Sequence, residues 1–193
     1  MPFDSARYVY RHGLKRIAAA FFDFVGAWLT LPFRHPPANI ESVKKILVIR
    51  LDQIGDVVMT RPALKAIQER FPQAEMDALV SSETAPLFSF IPGIHTVIVF
   101  KGGWFSILRL LRLRKYDLAI DFRGDLRNIA LMAAAGIPHR LGYGITGGGF
   151  LLTHEGRFSR RLHQVELNLQ LLSPLKVESR LDRSNRFEYS SSQ

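Results

Sequence analysis

Apolar residues follow two different patterns along this chain. From residue 17 to residue 33 they run almost unbroken, as IAAAFFDFVGAWLTLPF, with Asp23 and Gly26 the main interruptions. From Lys44 onward, short apolar runs alternate with amphipathic stretches. Residues 45–50 (KILVIR) form a continuous β-branched run, as expected of a strand covered on both faces. Similar runs at 75–80 (EMDALV), 95–100 (HTVIVF), 117–122 (DLAIDF) and 139–144 (HRLGYG) predict four more strands. Helices are predicted at 57–70, 82–90, 103–116 and 125–136, the last closed by Gly136. This β–α repetition predicts a doubly wound α/β domain, a parallel sheet with helices on both faces. Ligands of such sheets bind beyond the carboxyl ends of the strands.

The apolar run within 14–33 is shorter than the roughly 20 residues a spanning helix needs. Pro32 and the following RHPP replace the small-residue cleavage pattern of a secretory signal. With Lys15 and Arg16 before it and Arg34 after it, the segment predicts an amphipathic helix lying in a membrane interface, with Trp28 and the phenylalanines inserted. A helix packed on the domain's own surface fits the same length. Residues 34–42, with Pro36 and Pro37, predict a linker. The expected division is therefore a membrane-associating helix and linker over 1–42, an α/β domain over 43–175, and a disordered or truncated tail over 176–193.

Composition narrows the picture. At 47% hydrophobic the chain is not disordered by composition, and without cysteine it has neither disulfides nor thiolate chemistry. Its net charge of +9 favours phosphate-bearing partners in general: nucleotides, phosphorylated sugars, lipid headgroups or nucleic acid. The arginines of 108–116 alternate with leucines at helical spacing. No exposed aromatic ladder or recognisable module accompanies them, so an amphipathic surface helix is expected there and no nucleic-acid surface.

The candidate chemistry sits at LDQIGD, where the first strand meets the first helix. Gly55 suits a tight turn. Asp56 then stands at a helix start, where the positive end of the dipole favours a carboxylate. It can cap the helix or, in a crevice, take a proton from a hydroxyl. One glycine makes neither a dinucleotide fingerprint nor a Walker loop. Asp52 is expected to orient the loop. After the fourth strand, DFRGDLRN places Arg123, Asp125 and Arg127 at the same edge. The arginines can clamp acceptor oxygens or simply be ion-paired, and Asp125 can bind a hydroxyl or cap the next helix. Glycines 147–149 can offer amides to an anion or form a flexible loop. His163 and Glu166 share a helix face but lack the further ligands of a metal site, and His139 is expected at the surface or a strand end.

The stretch KKILVIRLDQIGDVVMTRPALKAIQERFPQAEMDALV resembles the opening of the family 9 glycosyltransferases, the heptosyltransferases of lipopolysaccharide core synthesis. YDLAIDFRGDLRNIALMAAAGIPHRLGYG, and then GGGFLLTHEGRF with LHQVELNLQLL, resemble later blocks of that family in the same order, so that the likeness covers about residues 44–172. It implies the N-terminal, acceptor-side half of a GT-B enzyme with two Rossmann-like domains. It implies inverting transfer of a sugar, a heptose for this family, from a nucleotide-sugar to a lipid-linked lipopolysaccharide-core acceptor. Asp56 would be the general base, with Gly55, Arg123, Asp125 and Arg127 on the acceptor side and no metal or other cofactor. The implied location is the cytoplasm, peripheral on the inner membrane.

A family member continues into a donor-binding domain. Here KVESRLDRSNRFEYSSSQ follows instead, so the chain alone is expected to be inactive, whether a fragment, a truncated gene product or half of a split enzyme. The alternative is a non-catalytic, membrane-anchored module that binds carbohydrate or a partner. A flavodoxin-like nucleotide binder is a more distant third.

Overall fold

The computed structural model describes residues 40–177, together with residues 20, 21, 23, 24 and 26. Most of the predicted interfacial helix and linker, and the tail from 178 onward, lie outside the described residues. The sheet has six strands: β1 (Lys45–Arg50), β2 (Glu75–Ser81), β3 (Ile94–Phe100), β4 (Leu118–Asp121), β5 (His139–Gly142) and β6 (His154–Glu155). Their order is β3-β2-β1-β4-β5-β6, and every pairing is parallel. The connecting helices are α1 (Ile54–Arg70), α2 (Ala85–Phe88), α3 (Trp104–Arg114), α4 (Leu126–Ala134) and α5 (Gln164–Leu171).

Alternation within β1 shows why the domain is doubly wound. Ile46 and Val48 face one apolar cluster with Val57, Leu64 and Ile67 of α1 and Leu169 and Leu171 of α5. Leu47 and Ile49 face the opposite cluster, with Ile107 and Leu111 of α3 and Ile129 and Met132 of α4. Period-two side chains thus feed two cores from one strand. Five strands fall where the apolar runs predict them. The sixth, β6, is only two residues long and polar, so it leaves no apolar run to read. It is held in register by pairing with Leu141 and Gly142.

Helix ends follow local chemistry. Gly136 has φ +76°, and its N–H donates to Ala133 while that of Ile137 donates to Met132. That pair of bonds is a Schellman closure, which favours glycine at this site. Pro62 inside α1 carries no N–H. In the turn before it, the Met59 carbonyl accepts from Asn168 Nδ2 of α5 at 2.9 Å, joining the two helices.

Several expectations need correcting. α1 begins at Ile54, three residues earlier than predicted, because Gln53 in an extended conformation is the N-cap. Gly55 therefore lies in the first turn of a helix and does not make the tight turn. A Cβ there would meet nothing within 4 Å. Of the two places expected for His139, the strand end holds and the surface does not. The residue is buried at the start of β5, its ring stacked on His154 with centroids 5.4 Å apart. The Gly148 amide, offered above to an outside anion, donates to Asp23 Oδ1 at 2.5 Å, so a carboxylate of the same chain occupies it.

Candidate active site

The first β-to-α turn and the fourth leave the sheet at β1 and β4, which are neighbours whose helices pack on opposite faces. The loops diverge there, and a cleft of about 540 Å³ opens at the carboxyl edge. β1 contributes Arg50, the turn after it Asp52 and Gln53, and α1 contributes Asp56. Phe122 and Arg123 come from the turn after β4, and the aromatic wall is completed by Tyr143 and Phe158, whose rings meet edge-on at 5.4 Å. Tyr143 is fixed by donating its hydroxyl to the Leu167 carbonyl at 2.6 Å.

Four charged side chains form a relay across the opening. Arg50 is 2% exposed, with Nε 3.3 Å from Asp52 Oδ2 and Nη2 3.5 Å from Asp56 Oδ1. Asp52 Oδ1 in turn lies 2.8 Å from Arg123 Nη1. The Arg50 guanidinium stands 5.9 Å from the centroid of the Phe122 ring. Burial lowers the Arg50 pKa, against the pull of Asp52, Asp56 and Asp121; an arginine stays charged all the same. Burial raises Asp52, and the two arginines oppose that rise.

Asp56 does not cap its helix, since the N-cap position belongs to Gln53. Its carboxylate is one-third exposed, faces the cleft and has Arg50 as its ion-pair partner. Bare Gly55 beside it leaves the approach clear on that side.

Beneath the cleft, Asp121 is fully buried at the end of β4. It accepts from Asn128 Nδ2 at 3.0 Å, from the Asp125 amide at 2.9 Å and from the Arg123 amide at 3.4 Å. These bonds shape the turn that carries Arg123. Burial pushes the Asp121 carboxyl up to about 6, against those hydrogen bonds.

Comparison with known proteins agrees with this topology. No family model matches the chain. It is 30% identical over 107 residues to lipopolysaccharide heptosyltransferase 2 of Escherichia coli K12, which covers 51% of this chain and 31% of that protein. It is 31% identical over 140 residues to lipopolysaccharide heptosyltransferase 3 of the same strain, covering 64% and 40%. Among solved structures, E. coli ADP-heptose lps heptosyltransferase II superposes with a TM-score of 0.61 at 28% identity, over 66% of this chain and 39% of that one. Over the aligned region the chain is similar to heptosyltransferases. A family 9 glycosyltransferase from Veillonella parvula, with a TM-score of 0.63 at 20% identity over 75% and 44% of the two chains, shares the fold. The aligned region spans about a third of the length of the first curated relatives.

The five residues singled out from the sequence do not all meet. Asp56 and Arg123 line the cleft, and Gly55 adjoins it. Asp125 and Arg127 line a smaller cavity beside it. Asp125 caps α4 by accepting from the Arg127 amide at 2.9 Å, and it also holds the Arg127 guanidinium at 2.9 Å. Burial pushes Asp125 up, but the bonds and charge of Arg127 outweigh this and leave it low. Both alternatives offered for these two residues, cap and ion pair, are realised.

The residues that sequence reasoning missed are Arg50 and Asp121, each closing an apolar run. A charged residue in the last position of a buried strand is the signal that would have found both, because burial there demands a partner. His163 and Glu166 form a capping box at the start of α5, which accounts for their spacing without a metal.

Proposed function

We propose that residues 40–177 form the acceptor-side lobe of an inverting glycosyltransferase that moves a heptose from a nucleotide-sugar to a lipopolysaccharide-core-type acceptor. The observation that carries this reading is the Asp56 carboxylate, turned into the cleft and not spent on its helix. An acceptor hydroxyl placed against Asp56 gives up its proton as its oxygen attacks the anomeric carbon of the donor. The bond to the nucleoside diphosphate breaks, the leaving oxygen keeps the electron pair, and the configuration inverts.

Arg50 positions Asp56, and Arg123 offers its remaining N–H groups to acceptor oxygens. Phe158, half-buried in the cleft wall, presents apolar surface to a sugar ring, while Phe122 and Tyr143 are buried and back the wall. The donor is met by groups outside these residues. The lobe works at the cytoplasmic face of the inner membrane, where a lipid-linked acceptor is within reach. Phe21 and Phe24, exposed on the N-terminal helical segment, suit that location. No helix among the described residues is long and apolar enough to cross a membrane.

The test joins the donor-binding lobe of a relative after residue 177 and follows transfer from radiolabelled ADP-heptose to a heptose-deficient core. Transfer is expected, and Asp56→Asn should abolish most of it while acceptor binding persists. Unimpaired turnover in that variant would return Asp56 to a structural role.

A further inference from the structure

The small cavity beside the cleft, about 180 Å³, shares Leu51, Ser81 and Arg123 with it. It is lined on one side by the ends of β2 and β3 and the start of α3, and on the other by the turn after β4 and the first turn of α4. We propose that this cavity is a second sugar subsite, which holds the ring next to the one that reacts at Asp56. The proposal rests on the acceptor reading of the cleft and adds where the rest of the acceptor lies.

Three observations support it. The first is an aromatic platform. Trp104 opens α3 and packs on Phe100 with ring centroids 4.6 Å apart, and both line the cavity. The apolar C–H face of a pyranose ring stacks on such a surface, which is flat and rigid at little entropic cost. The second is a set of donors. Arg127 is pinned by Asp125 through Nε and Nη2, and Arg123 by Asp52 through Nη1. Each guanidinium carries five N–H groups, and both side chains are half or more exposed. Each is thus oriented by one carboxylate with donors left over for ring and hydroxyl oxygens.

The third observation is size and continuity. At about 180 Å³ the cavity has a third of the volume of the cleft it adjoins, about 540 Å³. Because Arg123 lines both cavities, it contacts adjacent rings of one saccharide. The Arg127 guanidinium stands 6.0 Å from the Trp104 centroid, wider than a stacked contact.

The experiment uses the ¹⁵N-labelled chain and NMR. The probes are a free heptose, a deacylated oligosaccharide from a lipopolysaccharide core, and ADP. The oligosaccharide should move the Gly55 and Asp56 amides together with the Trp104 indole N–H, whereas free heptose should move the first pair more. Arg127→Gln, a change at an exposed side chain, should weaken oligosaccharide binding about fivefold, and Trp104→Leu about tenfold. Neither should change heptose binding.

Oligosaccharide shifts at Gly55 and Asp56 with none at Trp104, and full affinity in Arg127→Gln, would overturn the subsite and leave the cleft reading intact. No shift at either place would sink both. A Trp104 shift with ADP alone would make the cavity a nucleotide pocket and refute the proposal.

Discussion

Two clusters of arginine and carboxylate lie on this sheet, and they are built differently. Toward the amino ends of the strands, Asp77 of β2 is 6% exposed and accepts from the Tyr116 hydroxyl at 2.6 Å and from Arg114 Nη1 at 2.8 Å. Those contacts are short, and they join β2 to the end of α3. At the carboxyl edge, Arg50 reaches Asp52 and Asp56 at 3.3 and 3.5 Å, and the group opens onto a cleft. The first cluster holds Asp77 Oδ2 with two short hydrogen bonds from residues of the fold, away from any cleft. In the second, Asp52 is held closely by Arg123 at 2.8 Å, whereas Asp56 has only Arg50 at 3.5 Å among the ion pairs and keeps capacity for a ligand. The contrast separates a structural ion cluster from a functional one more sharply than residue type does, since both contain the same two kinds of side chain.

The largest effect expected on this contrast is at Asp56. Asp56→Asn should lower transfer by about 10²–10⁴-fold, the range for a lost general base. Its urea midpoint should stay close to that of the parent, because no cap is lost. A midpoint that falls steeply would place Asp56 with the structural cluster. Asp77→Ala should do the reverse. It strands the Tyr116 hydroxyl and Arg114, at about 2–4 kcal/mol in urea unfolding, with saccharide binding unchanged.

Asp121 lies between the two clusters in kind, buried like Asp77 but shaping the cleft. Its carboxyl titrates at about 6 in the folded chain, against about 3.9 when unfolded. The folded state therefore holds more protons between pH 4 and 6, and stability falls as pH rises through that window. The Asp121 share of this slope is about 2–3 kcal/mol in total. Asp121→Asn should flatten it, as seen in the difference between parent and variant unfolding curves at pH 4 and pH 7. The smallest effect is at the exposed pair Lys65–Glu69, 3.8 Å apart. Glu69→Gln should change stability by less than about 0.5 kcal/mol.

The strands of the central sheet were legible because both faces are buried, which leaves continuous apolar runs such as KILVIR and DLAIDF. The edge that would hold the site followed from topology alone. The inside of the site was harder to read. Gly55 suggested a turn, yet the turn is made by the backbone of Gln53, a residue with no special conformational signature. Arg50 and Asp121 are the last residues of buried strands, where a charge looks like the start of a loop until the partners supplied by the following turn and helix are seen around it. The relay joins residues 50, 52, 56 and 123, and no local pattern brings the last beside the others. Asp121 ties down the β4 turn through bonds to residues 123, 125 and 128, a local arrangement that hydrophobic patterning does not report.

The bond from the Gly148 amide to Asp23 joins residues 125 positions apart. It acts as a mechanical stitch. It fastens the helical segment around Asp23 to the glycine loop after β5, so that a change at the Asp23 side chain bears on the chain a few residues beyond Tyr143, one wall of the cleft.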